Sequence, residues 1–406
     1  MTTTEIREVG LDRLGELLRP IGTQLGFEPT PESLEVFSAL PEQDFRLAAF
    51  DGDEVVAGAV SYRLELAVPG GSVPAAGLTG VGVLPTHTRR GLLRALMREH
   101  LDRVRASGIP LAALWASEGA IYGRFGYGLA SLVLEVGVER DVVAPLLGPG
   151  EGGRVRLVDA GEAERLLPPV WERVRATTPG PFARSAEWWS VRLGDAPWQR
   201  RDRRPLQRAV LELDGEVAGY ALYRHAPRYE EGVPVGELEV IEAVAVSASA
   251  TRQLWRYLLS VDLVRRVTAR LLPVDHPLLL LTDEPARLHA RVGDGLWIRL
   301  VDVAAALSAR AYADADGDRL VLQVADAFCP WNEGTCVLEA GEARRDDDAE
   351  PDLRLDVRAL GAAYLGAFSF AELERAGRVE ELRPGAVACA DARFRADVRP
   401  WCPEIF

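Results

Sequence analysis

Residues 79–104, TGVGVLPTHTRRGLLRALMREHLDRV, decide how this chain is read. Leu92, Leu93, Leu96, Met97, Leu101 and Val104 recur at helical spacing, so an amphipathic helix is expected to begin close to Gly91. The preceding residues read as a strand ending near Leu84, joined to the helix by a short basic turn. Amides at a helix start lack internal partners and carry the positive end of the macrodipole, so they bind anions, above all where glycine permits close approach. Arg89, Arg90 and Arg94 add positive charge there, and a diphosphate is the expected ligand. Gly82, between Val81 and Val83, is expected to allow a bulge that turns strand amides outward.

Upstream of this stretch lies one half of an internal repeat. Residues 45–63, FRLAAFDGDEVVAGAVSYR, are matched by residues 208–224, RAVLELDGEVAGYALYR. Each copy reads as a strand, an Asp-Gly turn and a second strand beginning Val-Ala-Gly. A further strand follows each hairpin, at 79–85 and 241–246, and then a helix, which makes duplication the better account. The second copy, VAVSASATRQLWRYLL at 244–259, lacks the glycine and the double arginine, so it is expected to keep the fold without the diphosphate site. Proline and glycine break the pattern at 145–153, PLLGPGEGG, and a second shift falls near 291–295. Beyond it, strand-like runs at 320–324 and 336–339 and a helical pattern at 370–376 predict an α+β domain, with 344–350, RRDDDAE, a solvated loop.

Composition sets the outer bounds. With 406 residues, 48% hydrophobic and 27% charged, the chain fits neither wholesale disorder nor a membrane protein. Sixty-one acidic against 47 basic residues give a net charge of -14, which repels nucleic acid and anionic lipid and attracts cationic ligands. No basic segment followed by an apolar stretch opens the sequence, and no apolar run approaches the length of a membrane span, so a cytoplasmic protein is expected. Cys329, Cys336, Cys389 and Cys402 show no C-x-x-C spacing and read as reduced thiols. His87, His100, His225, His276 and His289 form no metal-like pair, and no metal is expected.

The pattern V-x-V-x-P followed by R-R-G and an apolar helix resembles the coenzyme A loop of the GNAT superfamily of N-acetyltransferases, with Thr88 and Leu93 departing from its usual residues. Residues 115–128, WASEGAIYGRFGYG, together with RRGLLRALM at 89–97, resemble the signature of the enhanced intracellular survival (Eis) family of acetyltransferases. The resemblance extends through LWIRLVDVAAALSARAY at 296–312, ALGAAYLGAFSFAELERAGRV at 359–379 and the closing WCPEIF. It implies an α+β chain of tandem GNAT-type domains, the second lacking the coenzyme A motif, followed by a sterol-carrier-protein-like domain. The boundaries are then 1–145 for the catalytic domain, 146–292 for the degenerate one and 293–406 for the third.

The same resemblance implies an acetyl-CoA-dependent N-acetyltransferase acting on primary amines of polycationic small molecules such as aminoglycosides, assembled as a homohexamer, with no nucleic-acid or membrane partner. Val81, Gly82, Val83, Arg89, Arg90, Gly91, Leu92, Leu93 and Arg94 would line acetyl-CoA, with Ser117 and Glu118 beside its pantetheine arm. Tyr122 would protonate the leaving thiolate, with Tyr127 the competing tyrosine, and the terminal carboxylate of Phe406 would take a proton from the substrate ammonium. A phenol near pKa 10 facing a thiol near 8.5 costs only about 2 kcal/mol in proton transfer. A carboxylate near 3.5 facing an amine near 8 costs about 6 kcal/mol, so apolar burial by Trp401, Ile405 and the Phe406 ring is expected to narrow the gap. Rival readings are a protein or peptide lysine acetyltransferase and a non-enzymatic carrier of apolar ligands in the third domain.

Overall fold

Leu14, Leu17, Leu18 and Ile21 fall on one face of helix α1 (Leu14–Leu25) and bury it against a sheet; Gly26, with φ 77°, stops the helix in the left-handed conformation that favours glycine. A capping box between Thr30 and Ser33 starts helix α2 (Pro31–Ser38). This computed structural model describes residues 5–40, 43–139, 152–200, 202–313 and 319–406. The sheet under α1 is built from β1 (Glu5–Glu8), β2 (Gln43–Asp51), β3 (Glu54–Val68), β4 (Gly71–Val83), β5 (Leu111–Trp115) and β6 (Gly128–Leu129). Helix α3 (Leu92–Ala106) makes the crossover between β4 and β5, a parallel pair, and the short α4 (Gly119–Tyr122) follows β5.

The sheet order is β1-β2-β3-β4-β5, then Leu296–Leu300, then β6. Leu296–Leu300 pairs antiparallel with β5, from Leu296 opposite Trp115 to Leu300 opposite Leu111, and on its other edge with β6. A strand that sequence reading put at the start of the third domain thus completes the first sheet. The chain accordingly forms two compact units: Met1–Ser131 with Leu296–Asp397 and Ile405–Phe406, and Leu132–Gly295 with Val398–Glu404. Of the break expected at 145–153, residues 145–151 lie outside the described residues; the chain changes sheet earlier, between Ser131 and Leu132.

The second unit repeats the design. Its hairpin Gln207–Leu213 and Glu216–Ala226 leads to Gly236–Ala245, helix Ala248–Ser260 and the parallel strand Val264–Pro273. The remainder of the first unit carries a five-stranded sheet of Glu342–Arg345, Gly334–Glu339, Leu320–Ala325, Leu353–Asp356 and Val379–Glu381, in that order. Helix Phe370–Arg375 starts at a capping box between Ser369 and Glu372. The charged stretch at 344–350 is not all loop: Arg344 and Arg345 end the edge strand, because they pair there with Val337 and Cys336. Among the described residues no helix is long and apolar enough to cross a membrane.

Candidate active site

Strands β4 and β5 pair only from Ala75 opposite Leu111 to Gly77 opposite Ala113, and beyond that point they part. In the same region the register of β4 against β3 steps from Gly82 opposite Gly58 to Thr79 opposite Val60, so β4 holds one extra residue. Gly80 absorbs it with φ 54°. The bulge therefore sits at Gly80 and not at the expected Gly82. At Gly82 the constraint is space: a Cβ there would lie 2.5 Å from Cα of Ile21 and 2.7 Å from the carbonyl oxygen of Pro20, so its bareness lets α1 lie on the strand.

From Val83 the chain enters a turn of Pro85–His87 and then α3, whose N-cap is Gly91 with φ 83°. Among the described residues no N-cap side chain closes this helix, so the amides of its first turn keep their donors for a ligand. A Cβ on Gly91 would meet nothing within 4 Å, which leaves the approach open. Arg89, Arg90 and Arg94 are exposed around it. Arg90 donates to the carbonyl of Thr86 at 3.2 Å, and the Arg94 guanidinium lies 5.0 Å from the ring of Phe328. Leu92 is packed in the core and offers only its backbone, while Val81, Val83 and Leu93 are half-buried. In the second unit the matching helix is closed by its own chain: the Ser247 hydroxyl accepts from the amide of Ala250 at 3.2 Å. That helix start has little left to offer an anion.

A cavity of about 420 Å³ opens where β4 and β5 part. Thr79, Gly80 and Val81 line one wall, Trp115, Ser117 and Tyr122 another, and Phe406 enters it. Bare Gly77 makes room for the last residue, since a Cβ there would lie 3.0 Å from Cε2 of the Phe406 ring. Burial pushes the Tyr122 phenol above its ordinary value; a hydrogen bond with Ser117 pulls it back in part, and the charge of Glu118 adds to the rise. Tyr127 packs edge-on to Tyr122, with centroids 6.2 Å apart, but is fully buried and does not line this cavity. Its hydroxyl has no hydrogen-bond partner among the described residues.

Trp401 does not line the cavity, contrary to expectation. It packs in a core cluster of the second unit, where its amide donates to Pro179 at 2.9 Å and its indole to the carbonyl of Leu271 at 2.6 Å. Glu118 is exposed and also outside the lining. Sequence reasoning missed the apolar wall supplied by α1, α2 and the loop between them, including Leu18, Phe27 and Phe37, together with Gln43, whereas Trp115 belongs to the 115–128 stretch already quoted. The available signal was the apolar periodicity of α1 running on into Leu25 and Phe27, beyond what a buried face requires.

Residues 5–130 and 180–300 each match an acetyltransferase (GNAT) domain family, and residues 303–403 match a sterol carrier protein domain family. An uncharacterized N-acetyltransferase of Streptomyces avermitilis is 40% identical over 416 residues, spanning 100% of both chains. The N-acetyltransferase Eis of Mycobacterium bovis is 38% identical over 384 residues, 91% of each chain. The crystal structure of Eis1 from Mycobacterium abscessus aligns over 100% of both chains with a TM-score of 0.83 and 34% identity. With the parted strands of its first sheet repeated in outline in its second, where Ser247 caps the helix start that is left open in the first, this N-acetyltransferase belongs to the Eis family.

Proposed function

We propose that the protein transfers the acetyl group of acetyl-CoA to a primary amine by direct attack on the thioester. One observation carries this reading: Tyr122 and Phe406 line a single cavity at the parting of β4 and β5, and β4 leads straight to the uncapped start of α3. The first-turn amides from Gly91 to Arg94, with Arg89 and Arg90, would hold the diphosphate, and Val81 to Val83 the pantetheine arm, with Ser117 and Glu118 opposite. The backbone at the Gly80 bulge would stabilise the oxyanion.

The amine nitrogen forms its bond to the acetyl carbon, and the C–S bond breaks with its electron pair going to sulfur. Tyr122 gives that sulfur a proton; the Phe406 carboxylate takes the first of the two protons the substrate ammonium must lose and passes it to water, and the second, shed by the nitrogen as the amide forms, returns through water to the Tyr122 phenolate. Because burial raises the Tyr122 phenol, its proton transfer to a thiolate is steeper than the roughly 2 kcal/mol of an unperturbed pair. The phenol stays protonated, and so competent as an acid, across the neutral range.

The net charge of -14 favours a second, narrower reading in which the acceptor is a polycation such as an aminoglycoside. Lysine side chains of peptides are served by the same chemistry. A homohexamer follows the family resemblance, and a light-scattering mass of one chain would reject it. A cytoplasmic setting suits an enzyme that consumes acetyl-CoA. The test of function is thiol release from acetyl-CoA across a panel of amines, with the C-terminus unmodified; a protein that binds no acetyl-CoA by calorimetry sinks the reading.

A further inference from the structure

We infer that the protein carries a second small-molecule site, apart from the acetyl-transfer cavity, that takes an organic anion: one carboxylate on an apolar body. The site is a cavity of about 430 Å³ where strands β6 and Leu296–Leu300 meet helices Val357–Tyr364 and Phe370–Arg375, all within the first unit. It shares no lining residue with the cavity of Tyr122 and Phe406. Its volume falls in the range of small-ligand sites. Leu129 and Trp297 form the wall on the side of the first sheet, and Phe368 and Leu373 the wall on the helical side. Of these, Leu129, Trp297 and Phe368 are only half-buried, so an apolar body between the walls would complete their burial.

Arg358 sets the polar end. It lines the cavity, yet among the described residues it makes no hydrogen bond and no ion pair, and its Nε is buried. A guanidinium keeps its charge and can only donate, and a buried donor left unmet is costly, so the partner that completes it is an acceptor of opposite charge. Two glycines of the 115–128 stretch seat this arginine. A Cβ on Gly123 would lie 2.9 Å from Nη2 and 3.2 Å from Nε of Arg358, so the guanidinium rests on bare backbone. A Cβ on Gly128 would collide with the carbonyl oxygen of Arg358, so helix Val357–Tyr364 lies directly on β6. Neither glycine lines the acetyl-transfer cavity.

The charges at the lining leave room for one anion. Arg378 also lines the cavity; its Nη1 is 3.8 Å from Asp356, beyond hydrogen-bond reach, and Asp356 is occupied in capping its helix, where Oδ1 accepts from the amide of Ala359 at 2.8 Å. Glu372 is the one carboxylate of the lining among the described residues, and its Oε2 accepts from the amide of Ser369 at 2.8 Å in the capping box. Two guanidiniums thus face a single carboxylate that is already engaged. A planar carboxylate matches the donor fork of Arg358, and charge-assisted pairs of this kind are about twice as strong as neutral ones.

The test is calorimetric titration of the full chain with naphthylacetate, with its neutral isostere naphthylacetamide, and with acetate, which is the head group without the body. Naphthylacetate is expected to bind once per chain with a Kd of about 0.1 mM. The amide should bind about tenfold more weakly, and acetate should give no measurable heat. Saturating acetyl-CoA should leave the naphthylacetate affinity unchanged, because the two cavities share no lining residue. Arg358→Gln should bring the acid down to the affinity of the amide without altering that of the amide. Ala376→Trp, at an exposed lining position, should abolish binding of both by filling the cavity, and it serves alone if Arg358→Gln does not fold. Equal affinities of acid and amide, full binding of the acid by either variant, displacement by acetyl-CoA, or no heat from naphthylacetate would each overturn the site.

Discussion

Glu404 accepts a 2.8 Å hydrogen bond from Nε of Arg184 and a 2.9 Å bond from the indole of Trp188, two residues before the sequence closes at Phe406. Arg184 also holds Glu242 with both terminal nitrogens, at 3.0 and 2.7 Å, over the ring of Trp171. Burial alone would push Glu242 up, but Arg184 and Arg192 outweigh it and hold the carboxyl at about 2. The segment ending at Glu404 is thus gripped by buried, mutually neutralised charges, and Phe406 follows only two residues later. Arg184→Met leaves two buried carboxylates facing Arg192 alone and is expected to cost about 3–5 kcal/mol in denaturant unfolding. Glu404→Gln keeps an acceptor for Trp188 and should cost less, about 1–2 kcal/mol. It should also lower kcat while leaving acetyl-CoA affinity intact, because the anchor preceding Phe406 is loosened; unchanged kcat would separate this clamp from catalysis.

The two tyrosines of the 115–128 motif divide by environment. Tyr122 lines the cavity and is hydrogen-bonded to Ser117, whereas Tyr127 buries a hydroxyl without a partner among the described residues. Tyr122→Phe should lower kcat by roughly 10²-fold, the usual scale for a lost general acid, with acetyl-CoA Kd unchanged. Tyr127→Phe removes an unmet polar group and should leave turnover within about twofold while raising stability by up to about 1 kcal/mol. Steady-state kinetics and calorimetry on the pair check both, and the reverse pattern would reassign the acid.

Local chemistry was legible in the sequence and long-range pairing was not. The start of α3 at Gly91 is written in its apolar spacing and its glycine, and the duplicated hairpins in their shared Asp-Gly turns. Which glycine of TGVG carries the bulge is decided by Ile21 and Pro20 lying on Gly82, a contact that no local pattern reveals. Leu296–Leu300 finds its partner in β5, far earlier in the chain, and Arg184 finds Glu404 across 220 positions. The apolar wall was readable in part: Leu14, Leu18 and Ile21 announce a buried face, but nothing local says that the same face continues into a cavity.

Gly91 offers a separation of strain from charge. At φ 83° any side chain other than glycine costs roughly 1–2 kcal/mol, although no atom obstructs a Cβ. Gly91→Ala should weaken acetyl-CoA binding by no more than about 30-fold, through backbone strain alone. Gly91→Asp places a negative charge where the diphosphate is to sit and should weaken it further, by about another tenfold or more. Equal affinities of Gly91→Ala and Gly91→Asp in a calorimetric titration would remove the diphosphate from this helix start.

The chain end is tested by lengthening it. Adding a few residues after Phe406 turns its carboxylate into a peptide carbonyl beside a cavity that, among the described residues, no Asp or Glu lines. Turnover should fall by about 10²-fold or more, with acetyl-CoA binding retained. Full activity in a tagged protein would end the proposed role of the terminal carboxylate.

Acid should unfold the protein chiefly through two buried histidines. His100, whose Nε2 lies 3.1 Å from the Ser61 hydroxyl, is lowered to about 4 by burial, and His276, packed on Trp255, is lowered to about 4 for the same reason. Both are neutral in the folded chain, while in the unfolded chain they protonate near 6.5. Their contribution is fully present above pH 6.5 and is lost as pH falls toward 4, because the unfolded state gains its protons first. Between pH 7 and 4.5 each should cost roughly 2.5 kcal/mol. Glu242, held at about 2, stays charged throughout that window; its own contribution fades only below about 4.5, so the two effects separate on the pH axis. Replacing His100 by Gln should remove about half of the slope of unfolding free energy against pH between 6.5 and 4.5. An unchanged slope in that variant would show that His100 protonates as readily in the folded protein as in the unfolded chain.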